Sequence, residues 1–183
     1  MSEQITRPAL IGLYSPYPRM GKSSIATFLM QEYGYTLLKF AQPVKAPLYE
    51  LGLSEDEIEG ALKDTPHKLF NGLSPREKMH EIAQGLFKEN GTDFLSLIAK
   101  RSVNNHLANN LEVVMDDVRF QENYDLIKTY PGAQIWRIES HNKHTTEAYD
   151  TAKLEHAVFD LNLQHTDDTR ILFKVIRQHL IKK

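Results

Sequence analysis

Three residues, Gly21-Lys22-Ser23, limit what this chain can fold into more than any other feature, because of what stands on either side of them. Before them runs Ala9-Leu-Ile-Gly-Leu-Tyr14, a short apolar stretch that reads as a buried strand. After them, Ile25, Phe28 and Leu29 keep helical spacing up to Tyr33, and Gly34 supplies a helix stop. The connecting loop is Ser15-Pro-Tyr-Pro-Arg-Met-Gly-Lys-Ser-Ser24. Strand, loop and helix in that order match the end of the phosphate-loop pattern G-x-x-x-x-G-K-S/T. Backbone N–H groups at the start of such a helix cradle a β-phosphate. Lys22 is then expected to reach the β- and γ-phosphates and the Ser23 hydroxyl to bind Mg²⁺, with Gly21 and Ser24 completing the nucleotide-binding set. Arg19, inside the loop, is a candidate for the transferred phosphoryl group. The first glycine of the pattern falls at Pro16, which fixes φ and removes one N–H from the near half of the cradle.

Downstream, apolar strands and helical patterns alternate. Tyr35 to Phe40 is predicted as a second strand, followed by helices over Pro43–Leu51 and Ser54–Lys63, the latter opened by a Ser54/Glu57 capping box. Ser74-Pro-Arg-Glu77 is the clearest helix start, with a serine cap, proline at the first helical position and glutamate at the third. Met79, Ile82, Ala83, Leu86 and Phe87 then form its apolar stripe, and Asp93 caps a further helix to about Leu107. Leu111 to Met115 reads as a strand ending at Asp116-Asp117, then a helix over Gln121–Thr129, a strand over Ile135–Ile138 and a last strand over Phe159–Leu163. The final helix turns Ile171, Leu172, Val175, Ile176 and Leu180 inward. Such alternation predicts one α/β domain with a mostly parallel sheet, whose ligands bind beyond the carboxyl ends of the strands.

In phosphate-loop proteins an aspartate at a strand end holds Mg²⁺ directly or through water. One of Asp116 and Asp117 is expected to do so and the other to cap the next helix; Asp117 is assigned to the metal and to catalysis, with Arg119 beside it on the same edge. Phosphoryl transfer spreads negative charge over equatorial oxygens, so cations are sought, and Arg19, Lys22, Lys45, Arg76, Arg101 and Arg119 are the candidates. Tyr14, Tyr17 and Phe40 lie where an aromatic could stack on a base. His141, His144 and Glu147 match no standard zinc spacing, and no G-x-S-x-G elbow is present. With no cysteine, disulfide frameworks and thiolate chemistry are excluded. A net charge of −2 argues against general nucleic-acid binding, and the apolar runs fall short of the ~20 residues of a membrane span. No signal-like apolar core follows Met1, so a cytoplasmic protein is expected.

Read together, five stretches resemble the bacteriophage-type deoxynucleoside monophosphate kinase family, within the P-loop NMP-kinase group. They are Arg19–Ser24, Phe40-Ala-Gln-Pro-Val-Lys-Ala-Pro-Leu48, the helix opening at Arg76 and leading to Gly91-Thr-Asp93 with Arg101 beyond, Asp117-Val-Arg119, and His144-Thr-Thr-Glu147. The resemblance implies a three-layer P-loop fold: a five-stranded parallel sheet, strand one in the middle, flanked by helices. It implies ATP with Mg²⁺ as donor, a deoxynucleoside monophosphate (dNMP) as acceptor, and ADP and dNDP as products. Lys45, Arg76, Thr92, Asp93 and Arg101 would face the acceptor within a helical region of about 42–108, and about 140–156 would take the lid position. Family members are commonly homodimers, and the sequence carries no interface signature of its own.

The chain departs from the family at Pro16, and at Ser140-His141, where members often carry an Arg-Pro pair; Arg137 stands three residues earlier, on the strand. The stretch from Arg76 to Gly91 is longer than usual and the chain as a whole is short. Two other functions fit the same loop: a related small-molecule kinase such as dephospho-coenzyme A kinase, and a nucleotide-binding protein whose loop no longer transfers phosphate.

Overall fold

The apolar run before the loop forms β1 (Leu10–Tyr14), and all five of its residues are buried. Strands flank it on both sides and helices cover both faces of the sheet there, which is why no polar residue alternates along it. The computed structural model describes residues 7–18, 20–139, 154, 156–166 and 168–181. Within them the sheet has five strands in the order β2-β3-β1-β4-β5, every neighbouring pair parallel. The others are β2 (Thr36–Leu38), β3 (Val113–Val118), β4 (Gln134–Glu139) and β5 (Leu161–Gln164). The expected α/β architecture, with β1 central, is what forms.

Helices cover both faces of this sheet. On one face α1 (Lys22–Tyr33) and α7 (Thr169–Ile181) close a core with Ile11, Leu13, Val114, Trp136, Ile138 and Leu163. From α1 come Ile25, Phe28 and Leu29, and from α7 come Leu172, Ile176 and Leu180. Those three α7 residues are four apart and form one narrow stripe. Ile171 (56% exposed) and Val175 (40% exposed), expected inward from the sequence, face outward instead. A helix resting on a single sheet face buries one stripe, and these two lie beyond its edge.

The opposite face carries α6 (Gln121–Lys128), and Gly12 explains how closely it comes. A Cβ at Gly12 would lie 2.6 Å from Ile127 Cδ1 and 3.0 Å from Val118 Cγ2, so the missing side chain is the space α6 fills. Asn123 starts this helix, its Oδ1 accepting from the N–H groups of Arg119 and Phe120, both at 3.1 Å.

β3 differs from expectation. It runs on through both carboxylates to Val118, and its register against β1 slips there: Gly12 pairs with Met115 but Tyr14 with Val118. Two steps along β1 thus answer three along β3, a bulge that contains Asp116 and Asp117.

Between β2 and β3 the chain forms a second compact unit, Phe40–Ile98, made of helices. It comprises α2 (Gln42–Glu50), α3 (Glu55–Ile58), two 3-10 turns at Ala61–Asp64 and Lys68–Phe70, α4 (Pro75–Asn90) and the start of α5 (Phe94–Ala108). Its core is Leu48, Leu53, Ile58 and Phe70, with Met79 and Ile82 of α4 packed on it. Both predicted capping boxes are present. The Ser74 N–H donates to Glu77 Oε2 at 2.7 Å, and the Glu77 N–H donates to Ser74 Oγ at 3.3 Å. The Ser54 box opens α3, which stops at Ile58, short of the predicted Lys63. Among the described residues no helix is long and apolar enough to cross a membrane.

Candidate active site

At the carboxyl end of β1 the loop begins with Ser15, which is 2% exposed. Its hydroxyl accepts from the Tyr17 N–H at 3.3 Å and donates to the Tyr17 carbonyl at 2.8 Å. Pro16 and Pro18 have no N–H to offer, so the near half of the loop is held by a side-chain turn, not by donors aimed at a ligand. The far half is different. Gly21 takes φ +85°, a left-handed conformation that a residue with a side chain adopts only at a cost, and from it α1 begins at Lys22. Gly21 has no side chain to cap the helix, so no side-chain bond closes that end, where the helix dipole is positive. Arg19 lies outside the described residues.

Ser23 sits in the first turn of α1, and its Oγ donates to Asp116 Oδ2 at 3.2 Å. Asp116 is buried, at 6% exposed, and comes from the bulge of β3. The carboxylate that meets the loop serine is therefore Asp116, not the adjacent Asp117 assigned to the metal from the sequence. Asp117 is half-buried beside it. The pair fits Mg²⁺ by donor chemistry: both groups offer oxygen, one of them charged, and Mg²⁺ takes oxygen ligands. Among the described residues no group of three or more His, Cys, Asp or Glu is placed to hold a metal ion. His141, His144 and Glu147 lie outside those residues, as does most of the expected lid.

Arg119 follows β3, its backbone N–H bonded to Asn123 at the start of α6. In the helical unit Lys45 is buried on α2, with Nζ 2.8 Å from Glu59 Oε1. Arg76, at the start of α4, forks onto Asp64 at 2.5 and 3.5 Å. Thr92 and Asp93, just before α5, are exposed; Arg101 is exposed on α5, in the part of that helix that belongs to the sheet unit.

The aromatic expectations change. Tyr14 has no exposed surface and stacks on Phe159, ring centroids 5.2 Å apart, so it packs the sheet instead of meeting a base. Phe40 is likewise buried. Arg137 also lies over the Phe159 ring, its guanidinium 5.4 Å from the centroid, and it pairs with Glu139.

One residue at the loop is not foreshadowed by the sequence around it. His165 follows β5 directly, and its ring reaches Gly21. Nothing in the local sequence marks it, because β5 and the loop are some 140 residues apart and only the strand order brings them together.

No family model matches the chain. It is 29% identical over 128 residues to a protein of Acanthamoeba polyphaga mimivirus named "Putative deoxynucleotide monophosphate kinase", a match covering 63% of this chain. The chain spans 66% of the length of that curated relative. Among solved structures, it is similar to a shikimate kinase from Aquifex aeolicus, with TM-score 0.49 and 13% identity over 93% of this chain and 95% of that one. It is also similar to a dephospho-CoA kinase from Campylobacter jejuni, with TM-score 0.46 and 13% identity over 95% and 98%. What the strands and the loop establish together is an α/β chain with a central parallel sheet and a P-loop, whose serine meets a buried aspartate of the neighbouring strand.

Proposed function

We propose that this chain transfers the γ-phosphoryl group of Mg-ATP to a deoxynucleoside monophosphate, giving ADP and dNDP. The observation that carries the phosphoryl-transfer part is the Ser23–Asp116 hydrogen bond at the end of the loop. A phosphate-loop serine and a strand aspartate are the two protein groups that such enzymes devote to their metal. The acceptor part is supported by the similarity to the mimivirus protein, whose printed name is that of a deoxynucleotide monophosphate kinase.

On this reading Gly21 to Ser24 cradle the donor's phosphates and Lys22 neutralises the charge that grows between the β- and γ-positions. Ser23 and Asp116 hold Mg²⁺, which screens the phosphate oxygens when bound. An oxygen of the acceptor's phosphate forms a bond to the γ-phosphorus as the bond to the bridging oxygen breaks, and ADP leaves. Arg19, Asp117 and Arg119 line the phosphoryl path. Lys45, Arg76, Thr92, Asp93 and Arg101 serve the acceptor, whose phosphate exchanges with the acidic partners that Lys45 and Arg76 have here.

The test is ADP release from Mg-ATP against a panel of dNMPs, NMPs and dephospho-coenzyme A. Turnover on deoxynucleotides is expected. Turnover on dephospho-coenzyme A alone would assign the loop to the other kinase, and ATP binding with a silent panel would leave a binding protein.

A further inference from the structure

His165 is held at the carboxyl edge of the sheet, where its backbone N–H donates to the Glu139 carbonyl at 2.6 Å. The end of β5 is thereby fixed beside the end of β4, and the imidazole is turned toward the loop. Its Nδ1 stands 3.8 Å from the point where a side chain on Gly21 would begin. The same nitrogen is buried and has no hydrogen-bond partner among the described residues. The His165 side chain as a whole is half-buried, and leaving a buried polar atom unpaired is unfavourable, so this nitrogen is open to a partner that a ligand brings.

The loop itself points to what that partner is. Residues 16–18 supply no free backbone N–H to a ligand, since two are prolines and the Tyr17 N–H is taken by Ser15. Recognition of an anion is thereby concentrated at the far end of the loop, beside Gly21, where His165 stands. An incoming phosphate brings there the acceptor oxygens that the buried nitrogen lacks.

We propose that His165 is a phosphate ligand of this loop: in its Nδ1–H tautomer it donates to an oxygen of the nucleotide's polyphosphate next to Gly21. The assignment rests on the phosphate-loop reading of residues 15–24 and deepens it with a residue that the loop motif does not contain. The class of ligand is a polyphosphate, and the contact makes no demand on the base.

Calorimetric titration with Mg-ATP and with inorganic tripolyphosphate tests it, on the unaltered protein and on His165→Leu, His165→Asn and Lys22→Ala. Asparagine keeps an N–H donor near the Nδ1 position, whereas leucine fills the space without one. Leucine should weaken both ligands by the same factor, about tenfold, and asparagine should restore binding to within about threefold, while the unliganded leucine variant melts no lower than the unaltered protein because it loses an unpaired buried polar atom. Undiminished binding by the leucine variant, while Lys22→Ala loses it, overturns this assignment and leaves the loop reading intact. Equal losses in the asparagine and leucine variants would reduce His165 to packing, and a loss confined to ATP would move its contact to the nucleoside. Failure of the unaltered protein to bind either ligand would overturn the loop reading, and this assignment with it.

Discussion

Asp116 and Asp117 are neighbours in sequence with the same side chain, yet the fold treats them differently. Asp116 is buried and accepts the Ser23 hydroxyl; Asp117 is half-buried beside it. If the Ser23–Asp116 pair holds the metal, Asp116→Asn should raise the Mg²⁺ concentration needed for half-maximal turnover and lower kcat by about 100-fold. Asp117→Asn should leave the Mg²⁺ dependence unchanged. A Mg²⁺ titration of both variants decides the matter, and a shifted dependence in the Asp117 variant would return the metal to it. The sequence put two carboxylates at this strand end but did not tell which of them would meet Ser23. Strand alternation would have separated the two residues, had β3 been regular. The bulge breaks that alternation at this place, and nothing in Val113-Val-Met-Asp-Asp117 announces a bulge. His165 was illegible for another reason, since its proximity to Gly21 depends on strand order and not on local pattern.

Among the elements, those with chemical start and stop signals were read most accurately. α1 ends at Gly34 and α4 begins at Ser74-Pro75, where the sequence places them, because caps are set by residues a few positions apart. Elements whose limits depend on packing were less legible: α3 is cut to one turn and α7 rotates Ile171 and Val175 outward. The α4 cap also has a pH signature. Hydrogen bonds from the Ser74 N–H and hydroxyl hold the Glu77 carboxyl below its ordinary range. A carboxyl with a depressed folded-state pKa contributes stability that is complete above its unfolded value and is lost as pH falls through the folded one. Ser74→Ala should therefore lower the melting temperature at neutral pH, by roughly 2–4 °C. The gap between variant and unaltered protein should narrow as the pH falls below the ordinary carboxylate range. Melting curves across that range check it, and a gap that stays constant would show that the Ser74 hydroxyl adds nothing through the charge of Glu77, whose bond from the Ser74 N–H the variant keeps.

For the molecule as a whole, the parallel sheet with β1 at its centre was legible, through the strand–helix alternation and the family resemblance together. A ligand that binds only the folded state stabilises it in proportion to the logarithm of its saturation. Mg-ATP at about 100 times its Kd should add ~2.7 kcal/mol. That is roughly 5–10 °C on the transition of the unit that carries the loop. Lys22→Ala should lose most of that shift, and thermal melts with and without Mg-ATP measure it; an equal shift in the variant would mean that the nucleotide binds elsewhere. The same strand order has a consequence for how the chain comes into being. β1 is translated ahead of both strands that flank it, since β3 and β4 follow about a hundred residues or more later. At typical elongation rates of ~5–20 residues per second, the apolar Leu10–Tyr14 segment waits several seconds or more without a neighbour. The segment that carries the phosphate loop is thus open to mispairing in the nascent chain, and a codon-level slowdown between β2 and β3 would lengthen that exposure.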